Sequence, residues 1–449
     1  MRCVIVGAGP TGLVLGMGLA HRGHDVTVVE RDPGPQTDGS WPRRGVMQFH
    51  HAHGIRPHVG QVLMAEAPTA YERVLQAGAE PVPMTLPDGS VIAGGLRCRR
   101  ATLERAIREA ALATAGLTLR PGKVERVTAH GGRADGIHVD GASVAADLVV
   151  DASGRVGRVC EEWRAPTALG GDTGIAYVDR QYQLLPGAEP GPLNGAVAWV
   201  QDFMGFQVLV FLHERGIFSV LLVRPADDQR LRGLRHEAAF EAACAAIPGL
   251  AVWTDPEKAR PITPVLVGGR LLNHYRSQRG PAGTLALPGL FFAGDAVATT
   301  TPNFGRGLAT SLMQVRELLR LLDAHGPDLG AAGEEFDAWC EANMRPWVED
   351  HVHMDHALRR RWAGEDVDLS ERLPSDLIMA AMPADPRIGQ AMAPYFTMTA
   401  LPDALDPVEP LARAVYESGW RPSLPTYPTR DDLAAIVAER QPQTEAIAN

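Results

Sequence analysis

The chain has 449 residues, with 53 acidic residues against 43 basic ones and a net charge of −10. This length allows about two to four domains, and a hydrophobic share of 45% with 21% charged residues excludes wholesale disorder. Only Lys123 and Lys258 are lysines. The other basic residues are arginines spread along the chain, so the sequence shows no basic patch typical of nucleic-acid binding.

Cysteine usage and hydropathy bear on the compartment. The cysteines are odd in number, far apart and without a CxxC pair, which argues against a disulfide framework or a zinc site and fits a reducing cytoplasm. The apolar opening segment contains glycines and a proline at set spacing, which favours a strand, turn and helix over a signal peptide. Elsewhere no apolar run reaches the roughly 18–20 residues of a membrane span. We expect a soluble, cytoplasmic protein with no integral membrane segment.

The first thirty residues are typical of a β-α-β unit that binds a dinucleotide. Arg2–Val6 and Asp25–Glu30 are predicted as buried strands, and residues 13–21 as the helix between them. The first strand runs into a GxGxxG motif made of Gly7, Ala8, Gly9, Pro10, Thr11 and Gly12.

Each part of this motif has a physical purpose. Gly7 permits a tight turn, Gly9 lets a pyrophosphate approach the backbone, and Gly12 allows close packing of the helix on the strand. The diphosphate then meets free N–H groups at the positive end of the helix. Glu30 is placed to bind ribose hydroxyls, with Arg31 beside it as a further candidate. The motif indicates a dinucleotide and leaves FAD and NAD both open.

Between residues 32 and 170 the pattern changes three times. Residues 32–60 are predicted as an ordered loop, residues 100–114 as an amphipathic helix and residues 146–150 as a buried strand that ends in DASGR. After residue 170, strands are predicted over Ile175–Leu184 and residues 196–223, joined by short turns, with a helix over residues 236–246. Short turns between successive strands predict an antiparallel meander.

The aromatic residues of this meander are mostly core residues if they alternate at period two. Some of them are also candidates to line an apolar substrate pocket. The candidates are Trp199, Phe206 and Phe211.

A second motif segment lies almost 290 residues after the first. A buried strand, GLFFAG, leads into an aspartate, a Gly-rich turn and a helix over Gly307–His325. Asp295 can accept hydrogen bonds from a sugar-alcohol chain, which a flavin has and a nicotinamide cofactor lacks. The N–H groups of the turn would stabilise negative charge on a reduced flavin ring. The candidate residues are Gly294, Asp295, Pro302, Gly305, Arg306, Gly307 and Leu308.

The organisation that follows is an α/β fold with a discontinuous Rossmann-like FAD-binding domain. An inserted, mostly antiparallel substrate sheet interrupts it, and a helical C-terminal region follows, with one long helix from residue 334 to about 362 and a Pro-rich tail. The predicted domains are residues 1–170 and 286–330 for the FAD-binding domain, 171–285 for the substrate domain and 331–449 for the C-terminal region.

Taken together, GAGPTG with Glu30, the DASGR segment and GDA with PNFGRG resemble the FAD-dependent monooxygenase superfamily. This superfamily includes para-hydroxybenzoate hydroxylase and squalene epoxidase, and the stretch over residues 43–53 is closest to its bacterial polyether-type epoxidases. The resemblance covers residues 1–325. It implies that Arg43 or Arg44, together with Arg100, contacts FAD.

The resemblance implies further roles along the cofactor. Val124 would meet the adenine through its backbone, and Asp151 falls in a segment associated with both FAD and reduced pyridine nucleotide. Asp295 would hold the ribityl chain, and residues 302–308 would border the flavin ring.

The sequence departs from the family pattern at two positions. Ala298 stands where the hydroxylases usually carry His, and DASGR replaces a form with DG at its centre. There is also no second GxGxxG motif. NAD(P)H therefore either docks transiently as the reductant or acts through a partner flavin reductase.

By this resemblance the chain is an FAD-dependent monooxygenase. It would hydroxylate or epoxidise a small, hydrophobic, natural-product-like substrate with O2, through a flavin C4a-hydroperoxide. No residue stands out as an obligatory acid or base, which fits a reaction whose hard chemistry the cofactor carries.

Three alternatives stay open. A flavin-dependent halogenase shares the fold, but that family uses an early active-site lysine and a WxWxIP segment, whereas no lysine precedes Lys123 here and WxWxIP is absent. An isoprenoid-type reductase would turn over without oxygen. A redox-silent flavin-binding cyclase or scaffold would work with oxidised flavin.

Two groups of histidines are candidate metal sites. The first lies within residues 50–58 without a cysteine or carboxylate, and in the second, HVHMDH, only His353 and His356 share a helix face. We predict no metal.

Overall fold

The computed structural model describes residues 1–43, 45–86 and 89–440. Most of its strands are short, and several of those in the central sheet are nearly continuous apolar runs. The strands are β1 (Arg2–Val6), β2 (Asp25–Glu30), β3 (Glu80–Thr85), β4 (Val91–Arg97), β5 (Leu117–Pro121), β6 (Val124–His130), β7 (Arg133–Val139), β8 (Ala142–Ala145), β9 (Leu148–Asp151), β10 (Leu169–Asp172), β11 (Ile175–Leu184), β12 (Ala198–Phe203), β13 (Phe206–Leu212), β14 (Ile217–Pro225), β15 (Ala259–Pro261), β16 (Leu266–Gly268), β17 (Leu272–Tyr275), β18 (Leu290–Phe292) and β19 (Ala298–Thr299).

Most of the described helices lie before residue 113 or after residue 306. Several begin with a proline in the first turn, where its missing N–H costs no helical hydrogen bond. They are α1 (Pro10–His21), α2 (Pro57–Glu66), α3 (Pro68–Gln76), α4 (Arg100–Leu112), α5 (Glu237–Ala246), α6 (Pro248–Thr254), α7 (Gly307–His325), α8 (Leu329–Asn343), α9 (Arg345–Trp362), α10 (Ser375–Ala380), α11 (Pro386–Phe396), α12 (Glu409–Glu417) and α13 (Arg430–Arg440).

A five-stranded parallel sheet forms the centre of the fold. Its strand order is β5-β2-β1-β9-β18, and every neighbouring pair is parallel. Strands β1 and β9 are buried along almost their whole length, as expected where helices cover both faces of a parallel sheet. Because β18 joins this sheet some 290 residues after β1, the predicted discontinuous Rossmann-like fold is confirmed.

A six-stranded sheet follows in the chain, with β12-β13-β14-β11-β15 paired antiparallel and β16 added on β11. Side chains alternate between its faces. One face packs on α5, α6 and α13 in a core that includes Phe206, Val208 and Val210. The opposite face carries Leu209, Phe211 and other apolar side chains, and it is turned towards the parallel sheet's half of the molecule. The inserted antiparallel sheet is thus also confirmed.

The C-terminal region differs from its prediction. The single helix expected over residues 334–362 is two helices, α8 and α9, with a break at Met344 just before Pro346. Proline fits the first turn of a new helix but would remove a hydrogen bond from the middle of a continuous one. The expected tail contains four more helices up to residue 440. Of these, α10, α11 and α12 share their own apolar core with Trp347 of α9, and residues 441–449 lie outside the described part.

The last described helix ties the chain end back to the inserted sheet. Leu433 and Val437 of α13 are fully buried in the same core as Phe206, and Arg430 lies 2.6 Å from Asp228. Among the described helices, none is both long and apolar enough to span a bilayer.

This docking predicts a stability effect far from the cofactor motifs. Leu433→Ala should lower the free energy of unfolding by about 2–4 kcal/mol, since it opens a cavity in a packed core. Leu112→Ala is the matched control, because Leu112 is 60% exposed at the end of α4. Denaturant unfolding followed by circular dichroism measures both. Equal, small effects would mean that α13 is not packed on the sheet.

Candidate FAD site

A cavity of about 830 Å³ lies at the carboxyl edge of the parallel sheet. It lies where strand order reverses between β1 and β9, the switch point at which such sheets bind ligands. The first turns of α1 and α7 border it, and the apolar face of the antiparallel sheet forms its far wall. One cavity therefore joins segments that are remote in sequence.

The GxGxxG turn shows why each glycine is needed. A Cβ on Gly7, whose φ is +104°, would lie 2.6 Å from the carbonyl oxygen of Ala152, and one on Gly12 would lie 2.0 Å from that of Gly7. A Cβ on Gly9 would meet nothing within 4 Å. Gly7 and Gly12 thus serve packing, whereas the open side of Gly9 leaves room for a ligand beside the N-terminus of α1.

The side chain of Glu30 is hydrogen-bonded to this turn. Its carboxylate accepts hydrogen bonds from the backbone N–H groups of Ala8 (2.8 Å) and Asp32 (2.9 Å). It also lines the cavity next to Val124. The acid at the end of β2 is therefore held in place by backbone donors at the edge of the cavity.

Arg43 provides a buried positive charge at the same end. Its guanidinium nitrogens lie 3.4 Å from Glu104, 3.7 Å from Glu30 and 3.8 Å from Asp32. These separations exceed the roughly 2.7–2.9 Å of a strong charge-assisted hydrogen bond. Its Nε is buried and has no hydrogen-bond partner among the described residues. Arg43 also lines the cavity, so its positive charge suits an anionic ligand such as a diphosphate.

Arg100 links the two halves of the site. It lies 2.6 Å from Glu104 and donates to Nε2 of His53 at 3.2 Å. Burial and the Arg100 charge lower the pKa of His53 to about 3, so this histidine is neutral. The charge of Arg100 also reaches Asp295 across the cavity.

Asp295 lies where the second motif segment meets α7. Burial raises the pKa of this carboxyl, against the opposing influence of Arg100, Arg155 and a hydrogen bond from Ser311. A carboxylate with few protein donors inside a cavity suits a ligand that brings hydroxyl groups. This is the chemistry expected for the ribityl chain of FAD.

The turn after Asp295 places backbone amides at the cavity. Gly305 has a φ of +60°, a left-handed conformation that favours glycine, and a Cβ there would lie 3.0 Å from the carbonyl oxygen of Gly54. A Cβ on Gly307, the first residue of α7, would meet nothing within 4 Å. The N-terminus of a second helix is therefore also open to the cavity, and Pro302 and Leu308 complete the lining.

The far wall is apolar. Leu209, Phe211, Leu221 and Val223 project from β13 and β14 into the cavity, and the ring of Phe211 lies next to Gly54. Tyr177 of β11 adds a hydroxyl whose pKa is raised by burial and by Asp179. This wall suits a hydrophobic substrate with a group that accepts a hydrogen bond.

The structure places two of the three predicted pocket aromatics elsewhere. Trp199 and Phe206 lie in the core between the sheet and its helices, on the face opposite Phe211. Phe206 is stacked on Phe203 at a ring separation of 4.5 Å. Because side chains alternate along a strand, Phe206 and Phe211 cannot share a face. Of this set only Phe211 lines the cavity.

Several predicted cofactor residues lie behind the cavity lining. Ala8 contributes its N–H to Glu30, and Gly12 serves packing as described. Asp151 is buried and accepts a hydrogen bond from the N–H of Ser153, and Gly294 is packed against Thr11. Arg44 lies outside the described residues. Apart from Arg306, the other residues predicted to bind the cofactor line the cavity: Gly7, Gly9, Pro10, Thr11, Glu30, Arg31, Arg43, Arg100, Val124, Asp295, Pro302, Gly305, Gly307 and Leu308.

Arg306 points away from the cavity. Its side chain is 1% exposed, lies 2.9 Å from Asp350 of α9, and packs over the rings of Trp347 and Tyr395. Only its backbone belongs to the turn that borders the cavity. The arginine of the PNFGRG motif thus anchors the C-terminal helices, as a planar guanidinium between aromatic rings.

The histidine groups serve structure. His51 lies 3.3 Å from Asp179, whose carboxylate also accepts the N–H of Ala52. His351 is buried on α9, whereas His356 is exposed. Over the described part of the chain, no group of three or more His, Cys, Asp or Glu side chains is arranged to hold a metal ion.

Sequence reasoning missed several residues of this region. Examples are Tyr177 and Ser311, which line the cavity, and Arg56, which donates to the carbonyl oxygens of Phe304 and Phe396. The alternation along β11 could have indicated Tyr177. Nothing local indicates Arg56, whose partners lie hundreds of residues away.

Comparison with known proteins fits this geometry. Residues 1–49 match the family described as "FAD binding domain". Protein Rv3254 of Mycobacterium tuberculosis is 25% identical over 361 residues, which is 72% of this chain and 73% of that protein.

Two solved structures share the fold. The flavin-dependent brominase Bmp2 is 14% identical with a TM-score of 0.65, covering 93% of this chain and 99% of the brominase. The peptidyl tryptophan dihydroxylase QhpG is 20% identical with a TM-score of 0.54, covering 82% of each chain.

Residues 1–49 therefore match a family of FAD-binding domains, and the chain shares its fold with flavin-dependent enzymes, in agreement with the resemblance drawn from its motifs. These findings support a flavin-dependent oxidoreductase with FAD as its cofactor.

The glycine turn yields a paired prediction. Gly9→Ala should leave the thermal unfolding of the FAD-free protein unchanged and weaken FAD about tenfold or more, because the new methyl group occupies space beside the diphosphate. Gly12→Ala should instead lower the unfolding temperature, since its methyl group collides with a carbonyl oxygen. Quenching of flavin fluorescence gives the FAD affinity. An unstable Gly9→Ala protein would contradict this division of roles.

The two sheet faces yield a second prediction. Phe206→Ala should cost about 3–5 kcal/mol of stability because it empties a packed core position. Phe211→Ala should cost clearly less, as this ring borders the cavity. Denaturant unfolding of both variants measures the difference. Equal losses would show that Phe211 is also a core residue.

Proposed function

We propose that this protein is an FAD-dependent monooxygenase that hydroxylates or epoxidises a hydrophobic, natural-product-like substrate. The observation that carries this proposal is the continuity of one cavity, from the two FAD motif segments to an apolar sheet face. A substrate on that face would lie beside the turn at residues 302–307. Neither of the chain's two lysines lies at that turn.

The residues present fit FAD along the whole cavity. Glu30 and Val124 would hold the adenosine end, and Gly9 with the α1 N-terminus the diphosphate, with Arg43 and Arg100 as counter-charges. Asp295 would accept the ribityl hydroxyls. The amides at Gly305 and Gly307 would border the flavin ring, where they favour negative charge. When bound and reduced, FAD supplies the oxygen activation that this reaction needs.

The protein's own contribution is to exclude water and to orient the substrate. Leu209, Phe211 and Leu221 form an apolar wall. Such a wall suits a reaction in which water would cause side reactions. Tyr177 is protonated at neutral pH, as tyrosine ordinarily is, and burial raises its pKa further. Its hydroxyl can therefore donate a hydrogen bond to an oxygen of the substrate.

The electrons would come from NAD(P)H. Arg155, the last residue of the DASGR segment, and Arg158 line the cavity, where they would receive the phosphates of NAD(P)H directly. The alternative is a partner flavin reductase. Reduction of the purified holoenzyme by NAD(P)H alone would favour direct docking.

Halogenation is the second candidate, since the brominase Bmp2 shares the fold over nearly the whole chain. The positions of the lysines speak against it. Lys123 lies at the Val124 end of the cavity, and Lys258 is exposed just before β15. Neither reaches the turn at residues 302–307 from there.

The reaction is tested with the purified holoenzyme, NAD(P)H and ¹⁸O₂, with a panel of polycyclic phenols and polyenes, in the presence and absence of bromide. We expect products that carry one ¹⁸O atom, measured by mass spectrometry, and loss of product with Gly9→Ala. Label from water would overturn the monooxygenase proposal, as would turnover without oxygen. A brominated product would establish halogenation, and turnover with oxidised flavin alone a redox-silent cyclase.

A further inference from the structure

A buried polar cluster lies directly behind the turn that borders the flavin site. It consists of Asn273 of β17, Thr301, and His351 and Asp355 of α9, all between 0% and 4% exposed. None of the four lines the cavity. Thr301 immediately precedes Pro302, so the cluster connects the C-terminal helices to the cofactor site.

The hydrogen bonds converge on the carboxylate of Asp355. Asn273 donates to it at 2.7 Å, the hydroxyl of Thr301 at 2.9 Å, and Asn303 at 3.5 Å. The N–H of Thr301 in turn donates to the side-chain oxygen of Asn273 at 2.7 Å. Both the backbone and the side chain of Thr301 are thus fixed, and Asn303 inside the turn is held as well.

His351 completes the chain of donors. Its Nδ1 lies 2.8 Å from the hydroxyl oxygen of Thr301. A hydroxyl donates only one hydrogen bond, so while Thr301 donates to an ionised Asp355, His351 carries its proton on Nδ1 and donates to Thr301. Burial, with Arg306 and Arg56 nearby, lowers the pKa of His351 well below its usual value, so the ring stays neutral.

We propose that Asp355 is a positioning residue for the cofactor: in its ionised form it locks the turn at residues 301–305 in the conformation that binds the flavin end of FAD. This inference rests on FAD binding at the site and not on the reaction. It assigns a role in the cofactor site to the C-terminal helices, which the FAD motifs do not include.

Protonation of Asp355 would weaken the lock. A protonated carboxyl donates to Thr301 and reverses the chain of hydrogen bonds, and it accepts less well from Asn273 and Asn303. Burial raises the pKa of Asp355 to about 7, against the lowering effect of the bonds from Asn273 and Thr301.

The surroundings of Asp355 determine which groups titrate with it. The charged groups that act on it are Asp350 on its own helix and Asp376 of α10, both of which raise its pKa. The cluster residues from β17 and from the turn, Asn273, Thr301 and Asn303, are neutral. Because FAD binding favours the ionised form, affinity should rise as the pH increases to about 7 and level off above it.

The test is FAD binding to the full-length protein stripped of cofactor, measured by flavin fluorescence between pH 5.5 and 8.5. Wild type should bind FAD at least about threefold more tightly at pH 8 than at pH 6. Asp355→Asn should bind FAD about tenfold more weakly at pH 8, since the amide cannot accept all three hydrogen bonds. It should also lose most of the pH dependence, because an amide does not titrate in this range. Any pH effect of Asp295, which faces the ligand itself, would remain in this variant.

Thr301→Val keeps the shape of the side chain without its hydroxyl and should weaken FAD in the same direction. It decides the matter if Asp355→Asn fails to fold. Glu349→Gln is the matched control, because this carboxylate lies on the same helix, pairs with Arg345 and is 48% exposed. It should bind FAD as wild type does, and thermal unfolding of each FAD-free variant checks its fold.

Two negative results have different meanings. If wild type binds FAD and both cluster variants keep its affinity and pH profile, this inference is wrong while the cofactor assignment stands. If wild type binds no FAD at any pH, the cofactor assignment fails and this inference fails with it.

Discussion

The pairing of β18 with β9 is the interaction on which the rest of the site depends. It joins Leu290–Phe292 in parallel register to Leu148–Asp151, beside a strand that begins at residue 2. Parallel strands end at the same edge of a sheet, so this one pairing brings Asp295 and the N-terminus of α7 next to Gly9 and the N-terminus of α1. Two positive helix ends then face one cavity, which is what an extended ligand with an anionic centre needs.

Three arginines near that cavity have different structural roles because their surroundings differ. Arg43 lies among carboxylates and keeps an unpaired donor near the cavity, while Arg306 is neutralised by Asp350 and enclosed by aromatic rings. Arg56 instead donates to the backbone carbonyl oxygens of Phe304 and Phe396, and burial lowers its pKa to about 9. A guanidinium suits these positions because its planar fork satisfies several acceptors at once. Through Arg56 and Arg306, the cofactor turn and the C-terminal helices form one packed unit.

How far the sequence could predict this structure depended on how local each signal was. The β-α-β unit and Ile175–Leu184 were predicted with correct or nearly correct bounds, because alternation and glycine spacing are encoded within a few residues. The placement of Trp199 and Phe206 was wrong, since period two separates a strand's faces without saying which face meets the ligand. The break at Met344 was missed although Pro346 marked it. Asp355 gave no local sign, because its three donors come from β17 and from the turn after β19.

The sequence by itself determined the dinucleotide-binding unit: strand, glycine turn, helix and acid follow one another within thirty residues, and this spacing is a local pattern. The motif order also determined that the fold is discontinuous. Only the tertiary structure decided that Phe211 rather than Phe206 faces the cavity, that Arg306 turns away from it, and that α9 is hydrogen-bonded to the turn at residues 301–305. The physical reason is that burial and hydrogen bonding between residues some 50 to 300 positions apart arise from packing, which no local pattern records.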